Sequence, residues 1–225
     1  GKLMKVSCII PAFNEESTIG NVLKAVKKIR TIDEIIVVDD GSTDNTYRIA
    51  KSHGVKVIRH EANKGKGAAI KTGIAHSSGD VLLFLDADIR NLTPKKIVSI
   101  IQPIINYEAD FVKTTFSLAR GRVTELVVKP LLKIIRPSIK FKQPISGQFA
   151  VKRELIEDVV IDDRWGVDIQ ILLQLIKKKI RIIEVDIGFI EHKKQPIEAK
   201  IVMSEQVIRA ILSELGIIAK KHKLI

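Results

Sequence analysis

The chain has 225 residues, enough for one large α/β domain or two small ones with a full apolar core. Hydrophobic residues make up 45% of it, which excludes a disordered chain. The net charge of +12 admits a solvated lysine-rich surface, attraction for anionic small molecules, or contact with nucleic acid or an anionic membrane, and aromatics at 4% count against stacking on single strands.

Gly1-Lys2-Leu3 ahead of Met4 reads as a fusion remnant, which makes Met4 the expected natural start. No signal peptide is legible after it, and no apolar run approaches the length of a membrane span. The single cysteine, Cys8, allows no internal disulfide. The cytoplasm is the expected location.

The first half alternates strand and helix signals. Val6 to Ile10 is a short apolar strand, and Glu15 to Ile29 has helical spacing at Ile19, Val22, Leu23, Val26 and Ile29. Glu34 to Val38 is the next strand. Thr43 to Ser52 is helical with Ser42 as its expected cap. Val55 to Arg59, a helix over Lys66 to Ala75 and the strand Val81 to Leu85 follow. Short strands separated by helices imply parallel pairing with right-handed crossovers, and ligands bind such sheets beyond the carboxyl ends of the strands.

The second half is less regular. Thr93 to Asn106 reads as a helix with Thr93 capping and Pro94 at its first position. Asp110 to Phe116 is a strand, Val123 to Ile135 a helix interrupted at Pro130, and Pro144 to Val151 a loop and strand. Gly166 to Lys177 is a helix, Arg181 to Asp186 a strand, and Glu198 to Leu215 a long amphipathic helix. The apolar face of that helix, Ile201, Ile208, Ile211, Leu212 and Leu215, suits the core or a second copy of the chain. The expected architecture is a single α/β domain over 1–225, with 1–92 binding a nucleotide and 93–225 completing the site.

Chemistry concentrates where strands end. Asp86 and Asp88 follow a buried run, and one-residue spacing points both carboxylates to one side of an extended segment. Two anions so close call for a cation, and carboxylate oxygens suit Mg²⁺ shared with substrate phosphates. Asp39-Asp40-Gly41-Ser42 ends another strand in two acids and a glycine turn; one acid is enough for the turn, so the other is available to base or ribose donors. Pro11-Ala12-Phe13-Asn14-Glu15 reads either as a helix start or as backbone laid against a base. Asn63-Lys64-Gly65-Lys66-Gly67 opens a helix, where glycines let backbone approach an anion and Lys66 adds a charge; a basic turn is the plain alternative. Gly121-Arg122-Val123-Thr124 has the form of a phosphate- or carboxylate-holding helix start, although a solvent-facing arginine explains it as well. His192 is a candidate third metal ligand or proton carrier, and Asp168 is either a first-turn acid or a group near the reacting atoms. His53, His60, His76 and His222 stand in polar contexts that suggest no role.

The ordered set Pro11 to Glu15, Val37 to Asp44 and Asp86 to Asp88 resembles nucleotide-sugar glycosyltransferases of the GT-A fold. Phe111-Val112-Lys113, Gly121 to Leu126 with Pro130 to Leu132, Gln143-Pro144, Gly166 to Asp168, and Glu191-His192 with Pro196 narrow the resemblance to glucosyl-3-phosphoglycerate synthases and their mannosyl relatives. The resemblance implies a Rossmann-like, mostly parallel sheet flanked by helices. It also implies a UDP- or GDP-hexose donor, a phosphorylated acceptor such as 3-phosphoglycerate, and Mg²⁺ or Mn²⁺ held by Asp88 and His192. Asp86 would contact the nucleoside; Pro11, Ala12, Phe13, Glu15 and Asp40 match the nucleotide pocket, joined by Asp39. Lys66 matches a nucleotide contact. Gly121, Arg122, Val123 and Thr124 match the acceptor loop. Asp168 matches an acid near the sugar, so that Asp88, Lys66 and Asp168 are the expected catalytic set. Retention at the anomeric carbon would follow.

Ile190 stands where that family often has arginine, and Asp40 where it often has serine. Ser146-Gly147-Gln148 is also similar to polyprenyl-phosphate sugar transferases, an inverting alternative in which Asp168 would be the base. A non-enzymatic basic nucleotide- or nucleic-acid-binding domain is a remoter alternative, and it leaves the gathered acids unexplained. No nucleic acid partner is expected.

Overall fold

The structure is a computed structural model that describes residues 3–117, 129–130, 133, 142, 146–164, 166–194 and 197–216. The elements in chain order are β1 (Val6–Ala12), α1 (Ile19–Val26), β2 (Glu34–Asp39), α2 (Thr46–Ser52), β3 (Lys56–Arg59), α3 (Lys66–Ala75), β4 (Val81–Phe84) and α4 (Pro94–Ile105). They continue with β5 (Phe111–Ser117), β6 (Phe149–Lys152), the short α5 (Arg153–Ile156), α6 (Val167–Leu175), β7 (Ile182–Phe189) and α7 (Ile197–Glu214). The expected acceptor loop Gly121 to Thr124, most of the helix expected over Val123 to Ile135 and His222 lie outside the described residues.

One seven-stranded sheet in the order β3-β2-β1-β4-β6-β5-β7 organises the described residues. β1 pairs in parallel with both β2 and β4, β2 with β3, and β5 with β7. β6 runs antiparallel to both neighbours, β4 and β5. The sheet is thus mostly parallel, as its crossover helices require. The chain steps outward from β1 through β2 to β3, then returns to place β4 on the other side of β1. That reversal opens a crevice at the carboxyl ends of β1 and β4.

Alternate residues of the central strands feed two cores. Cys8, Ile10, Leu83 and Leu85 face one side with α1 and α4 residues such as Leu23 and Ile101. Ile9, Leu82 and Phe84 face the other with Ile70 of α3, Leu172 of α6 and Ile211 of α7. Both faces are covered, which is why these strands read as unbroken apolar runs. Phe149 locks β6 into the second core, stacking on Phe84 at 4.7 Å between ring centroids and meeting Phe111 edge-on at 5.9 Å. On α7, Val207, Ala210 and Ile211 are buried, while Val202 and Ile208 are exposed. Among the described residues no helix is long and apolar enough to cross a membrane.

α3 matches its expected bounds, and Thr93 caps α4 by accepting the Lys96 amide at 3.3 Å. Two helix starts differ from expectation. α1 begins at Ile19 rather than near Glu15, because Asn14 takes a left-handed conformation with φ of 53°. α2 begins at Thr46, and Ser42 does not cap it: Ser42 Oγ accepts the Asn14 amide at 2.9 Å instead.

Gly73 shows how closely α3 lies on the sheet, since a Cβ there would sit 2.4 Å from Ile9 Cγ2. Helix propensity alone predicts that Gly73→Ala stabilises by about 1 kcal/mol. The contact reverses the sign. We expect Gly73→Ala to destabilise by about 1–3 kcal/mol, read as a lower urea midpoint at unchanged slope.

Candidate active site

β4 ends in the crevice and delivers Asp86 and Asp88 there. Asp86 is held from three directions. Its amide donates to Gln148 Oε1 at 3.0 Å, its Oδ1 accepts from Lys66 Nζ at 2.7 Å, and its carboxylate lies against Gly147. A Cβ at Gly147 would come within 2.2–2.5 Å of that carboxyl group, so only glycine leaves room for it. Lys66 Nζ also bonds Asp168 Oδ2 at 3.0 Å, at the first turn of α6. One ammonium thus joins two acids from distant parts of the chain.

Asp88 has no such partner. Its Oδ1 is buried without a hydrogen bond. Opposite it stands His192, just beyond β7. An antiparallel bridge pairs Ile89 with His192, the Arg90 amide donates to Glu191 O at 2.8 Å, and the Lys193 amide donates to Asp88 O at 2.8 Å. Ligand atoms of Asp86, Asp88 and His192 lie within 4.8 Å of one another, the one such grouping among the described residues. Two carboxylates and an imidazole are a donor set for a divalent ion, and the orphaned Asp88 oxygen is what such an ion would satisfy.

The titration behaviour of these groups agrees. Burial pushes the Asp88 carboxyl up to about 7, with the charges of Asp86 and Glu15 adding to the effect. Asp86 is desolvated too, but the Lys66 charge more than offsets this and holds its pKa below the usual range. Lys66 is opposed by burial, yet Asp168 and Asp86 carry its pKa well above that of an ordinary lysine. Burial raises Asp168, against the pull of Lys66. His192 is lowered by burial, which favours the neutral imidazole a metal needs.

Asp39 and Asp40, at and after the end of β2, are both buried and face protein donors. Asp39 accepts the Ser42 amide at 3.1 Å and faces Arg59 Nε at 3.1 Å. Asp40 accepts the amides of Lys64 and Gly65 at 2.9 and 2.8 Å, and its Oδ1 meets His60 Nδ1 at 2.7 Å. His60, expected to be an idle polar residue, is buried and also bonds Thr72 at 2.8 Å. These contacts fix the loop that carries Lys66. The glycines of that loop serve a different purpose from the expected one. A Cβ at Gly65 would sit 2.2 Å from Asp163 O, and one at Gly67 1.9 Å from Asp162 O. They let the segment before α6 close onto α3, which brings Asp168 to Lys66.

β1 supplies the remaining wall. Pro11 is half-buried, Ala12 buried and Phe13 exposed at the rim. The Glu15 carboxylate is mostly buried and pairs with Lys193 Nζ at 2.9 Å. The structure therefore gathers Glu15, Lys66, Asp86, Asp88, Asp168 and His192. Gly147, Gln148, His60 and Lys193 were missed by sequence reasoning. Only Ser146-Gly147-Gln148 carried a signal there, as a resemblance to polyprenyl-phosphate enzymes.

A crevice at the switch point of a mostly parallel sheet, lined by an Asp-x-Asp pair and a cross-strand histidine, defines a class: glycosyltransferases of the GT-A kind, which take nucleotide-sugar donors. The chain belongs to glycosyl transferase family 2, whose model matches residues 7–164. It is 32% identical to the glucosyl-3-phosphoglycerate synthase of Mycobacterium tuberculosis, over 94% of this chain and 74% of that protein. A crystal structure of that mycobacterial synthase with Mn²⁺, uridine diphosphate and phosphoglyceric acid superposes with a TM-score of 0.88 at 33% identity, covering 97% of this chain and 80% of the other. The dolichol-phosphate mannosyltransferase of Pyrococcus furiosus is 33% identical over 83% of this chain but only 56% of that protein.

A carboxyl whose pKa is raised on folding binds its proton more tightly in the folded state. The metal-free protein therefore loses stability as pH rises from about 4, the unfolded value, to about 7, the folded one. Asp88→Asn removes that loss. At pH 7.5 without metal we expect this variant to melt a few degrees higher than wild type. Mn²⁺ should stabilise the wild type and leave the variant unmoved. An unchanged Mn²⁺ response would remove Asp88 from the metal site.

Proposed function

We propose that the chain is a divalent-metal-dependent glucosyltransferase that moves glucose from UDP-glucose to 3-phosphoglycerate with retention. The carrying observation is the Lys66-bridged pair Asp86 and Asp168 beside the Asp88–His192 corner, in a chain that matches the mycobacterial synthase along nearly its whole length. The Pyrococcus enzyme matches over a smaller share of both chains, which supports phosphoglycerate over polyprenyl phosphate as acceptor.

In this reading Asp88 and His192 hold Mg²⁺ or Mn²⁺, and Asp86 faces the nucleoside. The ion, when bound, supplies Lewis acidity toward the donor diphosphate. Pro11, Ala12, Phe13 and Glu15 line the nucleotide, and Asp39 and Asp40 shape that wall by holding the turns around it. Lys66 keeps its positive charge across the physiological range and offers it, at no reorganisation cost, to the charge that develops on the leaving diphosphate. Asp168 Oδ1 is buried without a hydrogen bond and is free to accept from a hydroxyl of the sugar or acceptor. Gly121, Arg122, Val123 and Thr124, outside the described residues, hold the acceptor phosphate. The half 1–92 binds the donor and 93–225 completes the site. Donor and acceptor are both charged small molecules that cross no membrane unaided, which supports work in the cytoplasm. Exposed Val202 and Ile208 on α7 support a homodimer.

The test is an assay of UDP- and GDP-hexoses against 3-phosphoglycerate and polyprenyl phosphate, with and without EDTA. We expect UDP-glucose and phosphoglycerate to react, EDTA to abolish transfer, and Asp88→Ala or His192→Ala to lower kcat by about a hundredfold or more, the scale of a lost key electrostatic group. Transfer only to polyprenyl phosphate would overturn the acceptor, and an inverted product the retaining course.

A further inference from the structure

Asn14 is the strained point of the wall formed by β1. Its φ of 53° is left-handed, a conformation that persists in a non-glycine residue where surrounding contacts over-determine it. Three of those contacts come from the turn after β2: the Asn14 amide donates to Ser42 Oγ at 2.9 Å, and Asn14 Oδ1 accepts the Thr43 amide at 2.9 Å and the Thr43 hydroxyl at 3.3 Å. The fourth comes from far along the chain. Lys193 Nζ donates to Asn14 O at 2.6 Å. The same ammonium pairs with Glu15 at 2.9 Å, and this carboxylate is only 15% exposed. The main chain of Lys193 is pinned as well, since its amide donates to Asp88 O.

One residue therefore fastens the Asp-x-Asp backbone, through its own backbone, to the carbonyl of Asn14 and the carboxylate of Glu15, through its side chain. From this geometry we propose that Lys193 is a positioning residue for the donor. It holds the Phe13–Glu15 loop in its nucleotide-binding shape and ties that loop to the corner where the divalent ion binds. Glu15 lies among acids, and its charge reaches both Asp88 and Asp86. Without Lys193 a mostly buried carboxylate loses its cation, and Asn14 loses one of four restraints on a strained backbone. Both changes loosen the loop, while the ligand atoms of Asp88 and His192 stay where the bridge between Ile89 and His192 holds them. Arginine reaches as far and keeps the charge. Methionine keeps the stem and loses the charge.

The proposal rests on the donor reading above, and the experiment separates the two. UDP binding is measured by calorimetry in excess Mn²⁺, and Mn²⁺ binding is measured without nucleotide, for wild type, Lys193→Met and Lys193→Arg. We expect Lys193→Met to weaken UDP at least tenfold and Lys193→Arg less than threefold, with Mn²⁺ affinity of the nucleotide-free protein changed less than twofold in both. In turnover the KM for the donor should rise more than kcat falls. Glu15→Gln breaks the same ion pair from its other end, so the double variant Glu15→Gln/Lys193→Met should lose much less than the product of the two single losses. UDP binding by Lys193→Met at wild-type strength, equal loss in Met and Arg variants, or full additivity with Glu15→Gln would each overturn the positioning role while leaving the donor reading intact. A wild-type protein that binds no UDP in Mn²⁺ would overturn the donor reading, and the role of Lys193 with it.

Discussion

The ammonium of Lys66 is the contact on which the rest of the site depends. Glu15, Asp86, Asp88 and Asp168 converge on one crevice, and carboxylates brought so close in a half-buried place repel strongly. Lys66 bonds two of them, Asp86 and Asp168, and Lys193 pairs with a third. Asp88 is left over. Two lysines thus face four acids, and Asp88, beside His192, is the one to which no lysine is bonded. Burial, with the charges of Asp86 and Glu15 adding to it, pushes the Asp88 carboxyl up to about 7, while the Lys66 charge holds Asp86, two residues away, low. The site holds more acid than base, and its carboxylate oxygens are those a hard divalent ion prefers.

Such a focus requires that Lys66 be placed accurately, and backbone packing does this. Asp40 gathers the Lys64 and Gly65 amides and His60, which fixes the loop from the side of β2. Asp163 O accepts the Gly67 amide at 3.0 Å, which fixes it from the side of α6. The absence of side chains at Gly65 and Gly67 permits the second contact, and Gly147 gives Asp86 the space to meet Lys66. Electrostatics and close packing are therefore one construction here. A methyl group at any of the three glycines would push against backbone or a carboxylate rather than into open space.

The fold was legible because its strands are covered on both faces. Runs such as Val81 to Leu85 need no periodicity argument, and the alternating helices leave little choice but parallel pairing. The acids at strand ends were legible for the same reason, since a charged residue directly after a buried run marks a sheet edge facing solvent or ligand. What sequence could not supply was partnership across the chain. His60 stands in a polar stretch, and only the fold shows that Asp40 and Thr72 close around it. Asn63 to Gly67 looks like an anion loop, because glycines that admit a phosphate and glycines that admit a neighbouring backbone are the same letters. The start of α2 was misplaced because Ser42 caps nothing. Its hydroxyl is taken by Asn14, a long-range contact that overrides the local rule.

The net charge of +12 and the acidic crevice act at different ranges, and together they select the ligand. At a distance the summed field attracts any polyanion, with nucleic acid among the candidates. Inside the crevice that attraction reverses, because a phosphate arriving alone meets Asp86, Asp88 and Glu15. Only a phosphate that brings or finds a divalent ion gains from entering. In the proposed function a nucleotide diphosphate does so, its oxygens sharing the ion with Asp88 and His192. The basic surface thus raises the local concentration of anions, and the acid cluster decides which of them is retained.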